Sequence, residues 1–155
     1  MIQKLNKWYE VLSQKDIDDL LDAYGGFHDA CIVSLNFVSG MHVDSKNTMH
    51  FDGVDKYTLN IVFHSQWSDY ALELQFAGLR RLHLTGVQDN YTNDIFDASI
   101  KFYDNLLPSN YQTPAQVIVW ADSEDFNVKE IDSQLTEPAD TYVIAHSLKW
   151  RLIKK

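Results

Sequence analysis

Gly25-Gly26-Phe27-His28-Asp29-Ala30-Cys31-Ile32-Val33-Ser34-Leu35-Asn36-Phe37 is the stretch in which the hydrophobic period of this chain changes. Before it, Ile17, Leu20, Leu21 and Tyr24 recur at the spacing that lines one face of a helix. Ser13, with Asp16 three residues on, resembles a capping box, and Asp16, Asp18 and Asp19 suit the positive end of a helix dipole. Gly25-Gly26 then supplies residues that accept a left-handed exit. After Asp29 the period is two, with Cys31, Val33, Leu35 and Phe37 alternating with more polar neighbours.

Leu5, Trp8, Tyr9 and Leu12 repeat the helical spacing upstream, so helices are expected over 3–12 and 15–24. Downstream, Tyr57/Leu59/Ile61/Phe63, Tyr70/Leu72/Leu74/Phe76, Leu82/Leu84 and Phe96/Ala98/Ile100/Phe102 alternate. Val117 to Trp120 is a short continuous apolar run, and Ile144/His146/Leu148/Trp150/Leu152 is the longest alternation. One-sided alternation without a βαβ rhythm indicates antiparallel pairing. The predicted fold is α+β: a single domain over 1–155 with two N-terminal helices packed on a curved, mainly antiparallel sheet of about six to eight strands. Pro108 and Pro114 place 104–115 in a loop.

The chain of 155 residues carries a formal charge of −9, which repels nucleic-acid phosphates and anionic membranes and favours encounter with basic partners. Its longest apolar runs fall short of the ~18 residues a membrane helix needs. The N-terminal residues lack the apolar core of a signal peptide, and Cys31 is the only cysteine, so a reducing cytoplasm is the expected location. Within an apolar run, Cys31 is expected to be a buried, inert thiol.

No nucleophile elbow, Walker A loop, dinucleotide fingerprint or zinc-protease motif is present, and no cofactor is expected. His42-Val43-Asp44 and His50-Phe51-Asp52 flank Ser45-Lys46-Asn47, which can turn a hairpin. That register sets His42 opposite His50, so His42, Asp44, His50 and Asp52 form a candidate metal site, the basis of an alternative reading as a metal-dependent enzyme. His28 and Asp29 are expected to be structural, joining helix exit to first strand, because adjacent strand residues point to opposite faces. His146, on an apolar face, is expected to be a hydrogen-bonded core histidine.

Residues 122–140 hold seven carboxylates against Lys129 alone. Trp120 and Phe126 stand beside Asp122, Glu124 and Asp125, a combination of aromatic anchors and steering charges that suits a basic protein surface. These five residues are the expected partner-binding set. A structural or oligomerising domain without catalysis is a further alternative.

Tyr24-Gly25-Gly26-Phe27-His28-Asp29-Ala30-Cys31-Ile32 and Leu72-Glu73-Leu74-Gln75-Phe76-Ala77-Gly78-Leu79-Arg80-Arg81-Leu82-His83-Leu84 resemble stretches of small bacterial proteins of immunity-protein-like or uncharacterised type. Those carry a Phe-His-Asp strand start and a Phe-x-Gly-Val/Leu strand. The resemblance covers about a quarter of the chain. It implies an α+β fold and, in toxin–immunity pairs, inhibition of a partner toxin by direct binding, and it supplies no catalytic residues; the acidic charge of the chain makes a basic toxin the expected partner.

Overall fold

The computed structural model describes residues 3–51, 53–86, 94–108, 113–131 and 140–155. In chain order its strands are β1 (Tyr9–Glu10), β2 (Ala30–Val38), β3 (His42–Val43), β4 (Met49–His50), β5 (Thr58–Ser65), β6 (Tyr70–His83), β7 (Asp94–Ile95), β8 (Ser99–Asp104), β9 (Gln116–Ala121) and β10 (Tyr142–Lys154). A single α-helix, α1 (Gln14–Ala23), occurs among the described residues. The main sheet is antiparallel, runs β7-β2-β5-β6-β10-β9-β8, and curls into a half-barrel. The expectation of an α+β fold with two helices laid on a sheet is therefore corrected: the protein is mostly β, with one helix in the hollow of the curl.

The missing helix has a clear cause. Residues 9–10 form β1 and pair with Trp150 and Lys149 of β10. The amide of Asn6 donates to Leu152 O and that of Val11 to Leu148 O, extending the ladder on both sides. In a strand, successive side chains leave on opposite faces. Tyr9 accordingly stacks on Trp150 at 4.8 Å, while Trp8 lies under the cations of Lys149 and Arg151. Leu12 is left largely exposed, and Val11 is buried instead. The helical spacing of Leu5, Trp8, Tyr9 and Leu12 was thus coincidental, and Asn6, at φ +61°, breaks any helix there.

The second helix forms where the caps place it. Ser13 Oγ accepts from the Asp16 amide, and Asp16 Oδ2 accepts from Ser13 Oγ and the Leu12 amide. Those bonds hold the Asp16 carboxyl below its ordinary pKa. Ile17, Leu20 and Tyr24 turn inward to meet Phe27, Phe63, Trp120 and Trp150 in the main core.

Two irregularities set which residues face that core. In β2, pairing passes from Ile32↔Phe63 to Ser34↔Val62, so Val33 is bulged out. The bulge turns Ile32 and Leu35 inward and leaves Cys31 exposed, which overturns its expected burial. In β6, Gly78 has φ +67° and lies against His146: a Cβ there would sit 2.4 Å from His146 Nδ1. The imidazole fills the space a side chain would need. Among the described residues His146 Nε2 is buried without a hydrogen-bond partner, contrary to the expected bonded core histidine, and burial holds the ring's pKa below 6.5.

A second, smaller core lies on the other face of β9 and β10. Val117, Val119, Ala121, Tyr142 and Ile144 pack there with Leu107, Phe126 and Ile131. Ile118 and Trp120 point into the main core instead. Burial on both faces explains why 117–120 is continuously apolar. No helix among the described residues is long and apolar enough to cross a membrane.

Candidate functional site

The corner where α1 gives way to β2 is built from consecutive left-handed residues. Gly25, Gly26 and Phe27 have φ of +58°, +63° and +66°, and Asp29 follows at +51°. Glycine takes such angles freely, but Phe27 does so at a cost of order 1–3 kcal/mol. Full burial of its ring against Tyr24, Phe63 and Trp120 offsets that cost. The strained turn pushes His28 outward while Phe27 stays in the core.

His28 has half its side chain exposed and stands between two carboxylates. Its Nδ1 is 2.8 Å from Phe96 O and 3.9 Å from Asp97 Oδ1, and its Nε2 is 3.5 Å from Asp29 Oδ2. A carbonyl oxygen only accepts, so Nδ1 carries the hydrogen in the neutral ring and Nε2 is the atom that titrates. The Phe96 carbonyl and then Asp29 raise the pKa above 6.5. Asp29 Oδ2 also accepts from Trp67 Nε1 at 2.9 Å.

That bond stands up an aromatic that little else covers: Trp67 is 77% exposed, and Phe96, on the far side of His28, is 71% exposed. Two large aromatics, a histidine and two aspartates therefore share one exposed corner. A pocket of about 380 Å³ opens beside Trp67, lined by Ala23, Tyr24, Gly25, His28, Ser65 and Ser68. Beyond Asp29 lies a second hollow of about 450 Å³, where Cys31, His64 and Asp94 share a wall that Lys155 also lines. Cys31 is the direct cross-strand neighbour of both His64 and Asp94.

The expected partner-binding set does not assemble into an exposed patch. Trp120 has no exposure and packs on Phe27 and Phe63. Phe126 covers the second core with its ring 4.9 Å from that of Tyr142. Asp122 Oδ1 accepts from the Thr141 amide, and burial pushes the carboxyl up to about 6. Glu124 and Asp125 alone are exposed, while Asp132 and Glu137 lie outside the described residues.

The 42–50 hairpin has the expected register, His42 facing His50. The two rings stack at 4.7 Å and 10°, and His50 Nε2 is 2.8 Å from Asp44 Oδ2. Parallel stacked rings direct their nitrogens side by side rather than to one point, and Asp52 lies outside the described residues. No group of three or more His, Cys, Asp or Glu among the described residues is placed to hold a metal ion.

Sequence reasoning singled out His28 and Asp29, but as structural residues, and did not single out Trp67 or Phe96. Trp67 sits in the polar turn Gln66-Trp67-Ser68-Asp69 between two alternating runs, where an aromatic has no sheet face to bury it. Phe96 reads as the first inward residue of an alternating run, but β7 ends just before it and β8 starts only at Ser99. No protein-family model matches the chain, and no curated protein or solved structure does.

Proposed function

We propose that this domain binds a basic protein, in the manner of an immunity protein neutralising a toxin, and that it does so through the Trp67–His28–Phe96 corner. The observation that carries this reading is the exposed indole of Trp67, fixed by Asp29 within an acidic surface. Rigid exposed aromatics supply interface energy at low entropic cost, and surrounding carboxylates supply steering and specificity. The strained turn beneath them fits a role in preorganising the site. The 120–126 segment, expected to hold the interface, has its aromatics, Trp120 and Phe126, committed to the two cores.

The test is isolation of the partner, followed by association kinetics on purified components. A basic partner whose binding weakens at least tenfold with Trp67→Ala, and whose association slows with Asp29→Asn plus Asp97→Asn, supports the reading. A partner that binds these variants with unchanged rates, or that is itself acidic, overturns it.

A further inference from the structure

We infer that the pocket beside Trp67 receives a single cationic side chain of the partner, arginine in preference to lysine. This inference rests on the reading of the corner as a site for a basic protein, and it specifies which group enters. Four features of the pocket converge on a cation.

The first is the end of α1. Ala23, Tyr24 and Gly25 line the pocket, so it lies at the negative end of the helix dipole. Helices commonly answer that end with Lys or Arg, but the last turn of α1 contains no basic residue. The second is the Trp67 ring, a favourable face for a cation, held in orientation by Asp29. The third is the lone pair on His28 Nε2. With the hydrogen committed to Nδ1 by the Phe96 carbonyl, Nε2 can accept from an N–H donor. The fourth is the charge of Asp29 and Asp97, the two carboxylates that face His28; among the described residues no cationic side chain lines the pocket while His28 is neutral, and the nearby Lys155 ammonium is taken up by the Ser65 carbonyl.

A planar guanidinium both stacks on an indole and presents several donors, whereas an ammonium offers a point charge with a stronger hydration shell. Arginine therefore suits a pocket with an aromatic wall and acceptors at its rim. Protonation of His28 places a positive charge in the same space and removes the Nε2 lone pair, so the cation and the proton compete.

The experiment uses the intact chain with N-acetyl-argininamide, N-acetyl-lysinamide and the uncharged isostere N-acetyl-citrullinamide as probes. The indole N–H signal of Trp67 and the ring signals of His28 are followed by NMR. Saturable shifts with a Kd of about 1–10 mM are expected for the arginine probe, the weak affinity of a single-side-chain contact. Several-fold weaker binding is expected for lysine, none for citrulline, and a loss as the pH falls through the His28 titration. Equal shifts from citrulline and arginine, or no saturable shift at about ten times those concentrations, overturn the inference. Lysine binding more tightly overturns the preference for arginine.

The outcomes separate the two proposals. If the arginine probe binds while a purified partner ignores the Asp29 and Asp97 substitutions, the pocket's affinity for a guanidinium stands, but its use by that partner and the proposed function fall. If the partner responds to those substitutions and the probe does not bind, the reverse holds.

Discussion

Trp67 and Asp29 are joined across the corner: the indole Nε1 of one donates to the carboxylate of the other at 2.9 Å. This ties the β5–β6 turn to the residue that precedes the first long strand. Because Trp67 is 77% exposed, its loss removes little buried area. Trp67→Ala is expected to change stability by less than about 1 kcal/mol, measured by denaturant unfolding, while weakening partner binding by roughly 2 kcal/mol or more. Asp29→Asn keeps an acceptor for the indole and tolerates φ +51°, so it isolates the charge. Its expected signature is slower association with weaker salt dependence and a nearly unchanged Trp67 indole signal.

Gly78 and His146 occupy one space. Gly78→Ala adds a Cβ 2.4 Å from His146 Nδ1 on a backbone at φ +67°. A destabilisation of about 2–4 kcal/mol is expected, visible as a drop of roughly 5–15 °C in Tm. Adding His146→Ala relieves the overlap but not the backbone strain, so the double variant recovers only part of the loss. Full additivity of the two single effects would show that the side chains do not compete for that space.

Asp122 gives a pH-dependent prediction. Its carboxyl is raised from 3.8 to about 6, chiefly by burial and then by Asp140. A carboxylate with a raised folded-state pKa stabilises the fold below pH 3.8 and loses that contribution as the pH rises to about 6. Asp122→Asn retains an acceptor for the Thr141 amide and removes the charge. It is expected to stabilise the protein by about 1–2 kcal/mol at pH 7, after allowance for solvent screening, with the gain vanishing near pH 4. A stability difference that does not vary across this window would refute the assignment.

Several strands of the sheet could be read from the sequence, but the expected α+β architecture with two helices did not hold. The switch of period at Asp29 marks the start of the first long strand, although β1 already belongs to the sheet, and the inward positions of β5 were correct at Leu59, Ile61 and Phe63. The 42–50 register followed from the turn residues alone. Errors arose where two physical solutions share one pattern. Tyr9 and Val11 fit a strand as well as Tyr9 and Leu12 fit a helix, and only pairing with β10 decides between them. Bulges are equally silent: no residue type announces that Val33 will shift its strand by one and turn Cys31 outward. At the site, His28-Asp29 was visible as a pair, but the residues that complete it arrive from turns distant in sequence.

On the outer face of the sheet, Glu73 is only 9% exposed and accepts from Arg151 Nε at 2.6 Å and from Asn60 Nδ2 at 2.7 Å. Arg151 in turn lies over the Trp8 ring. Glu73→Ala leaves a part-buried guanidinium and an amide without their acceptor, and a loss of about 2–4 kcal/mol is expected. Removing Arg151 as well should cost less than the sum of the single substitutions, which a double-mutant cycle on urea midpoints would reveal.

β7 and β8 stand at opposite ends of the strand order, yet only Phe96, Asp97 and Ala98 separate them in the chain. The half-barrel is therefore fastened by a covalent clasp: opening one rim pulls on the other. The same three residues furnish the carbonyl and one carboxylate around His28, and the Ala98 amide bonds to Gly26 O. A ligand that grips this corner holds the clasp shut. Occupancy should then slow amide exchange together in β2 and β9, the strands next to the two rims of the sheet, even though most of those strands never touch the ligand.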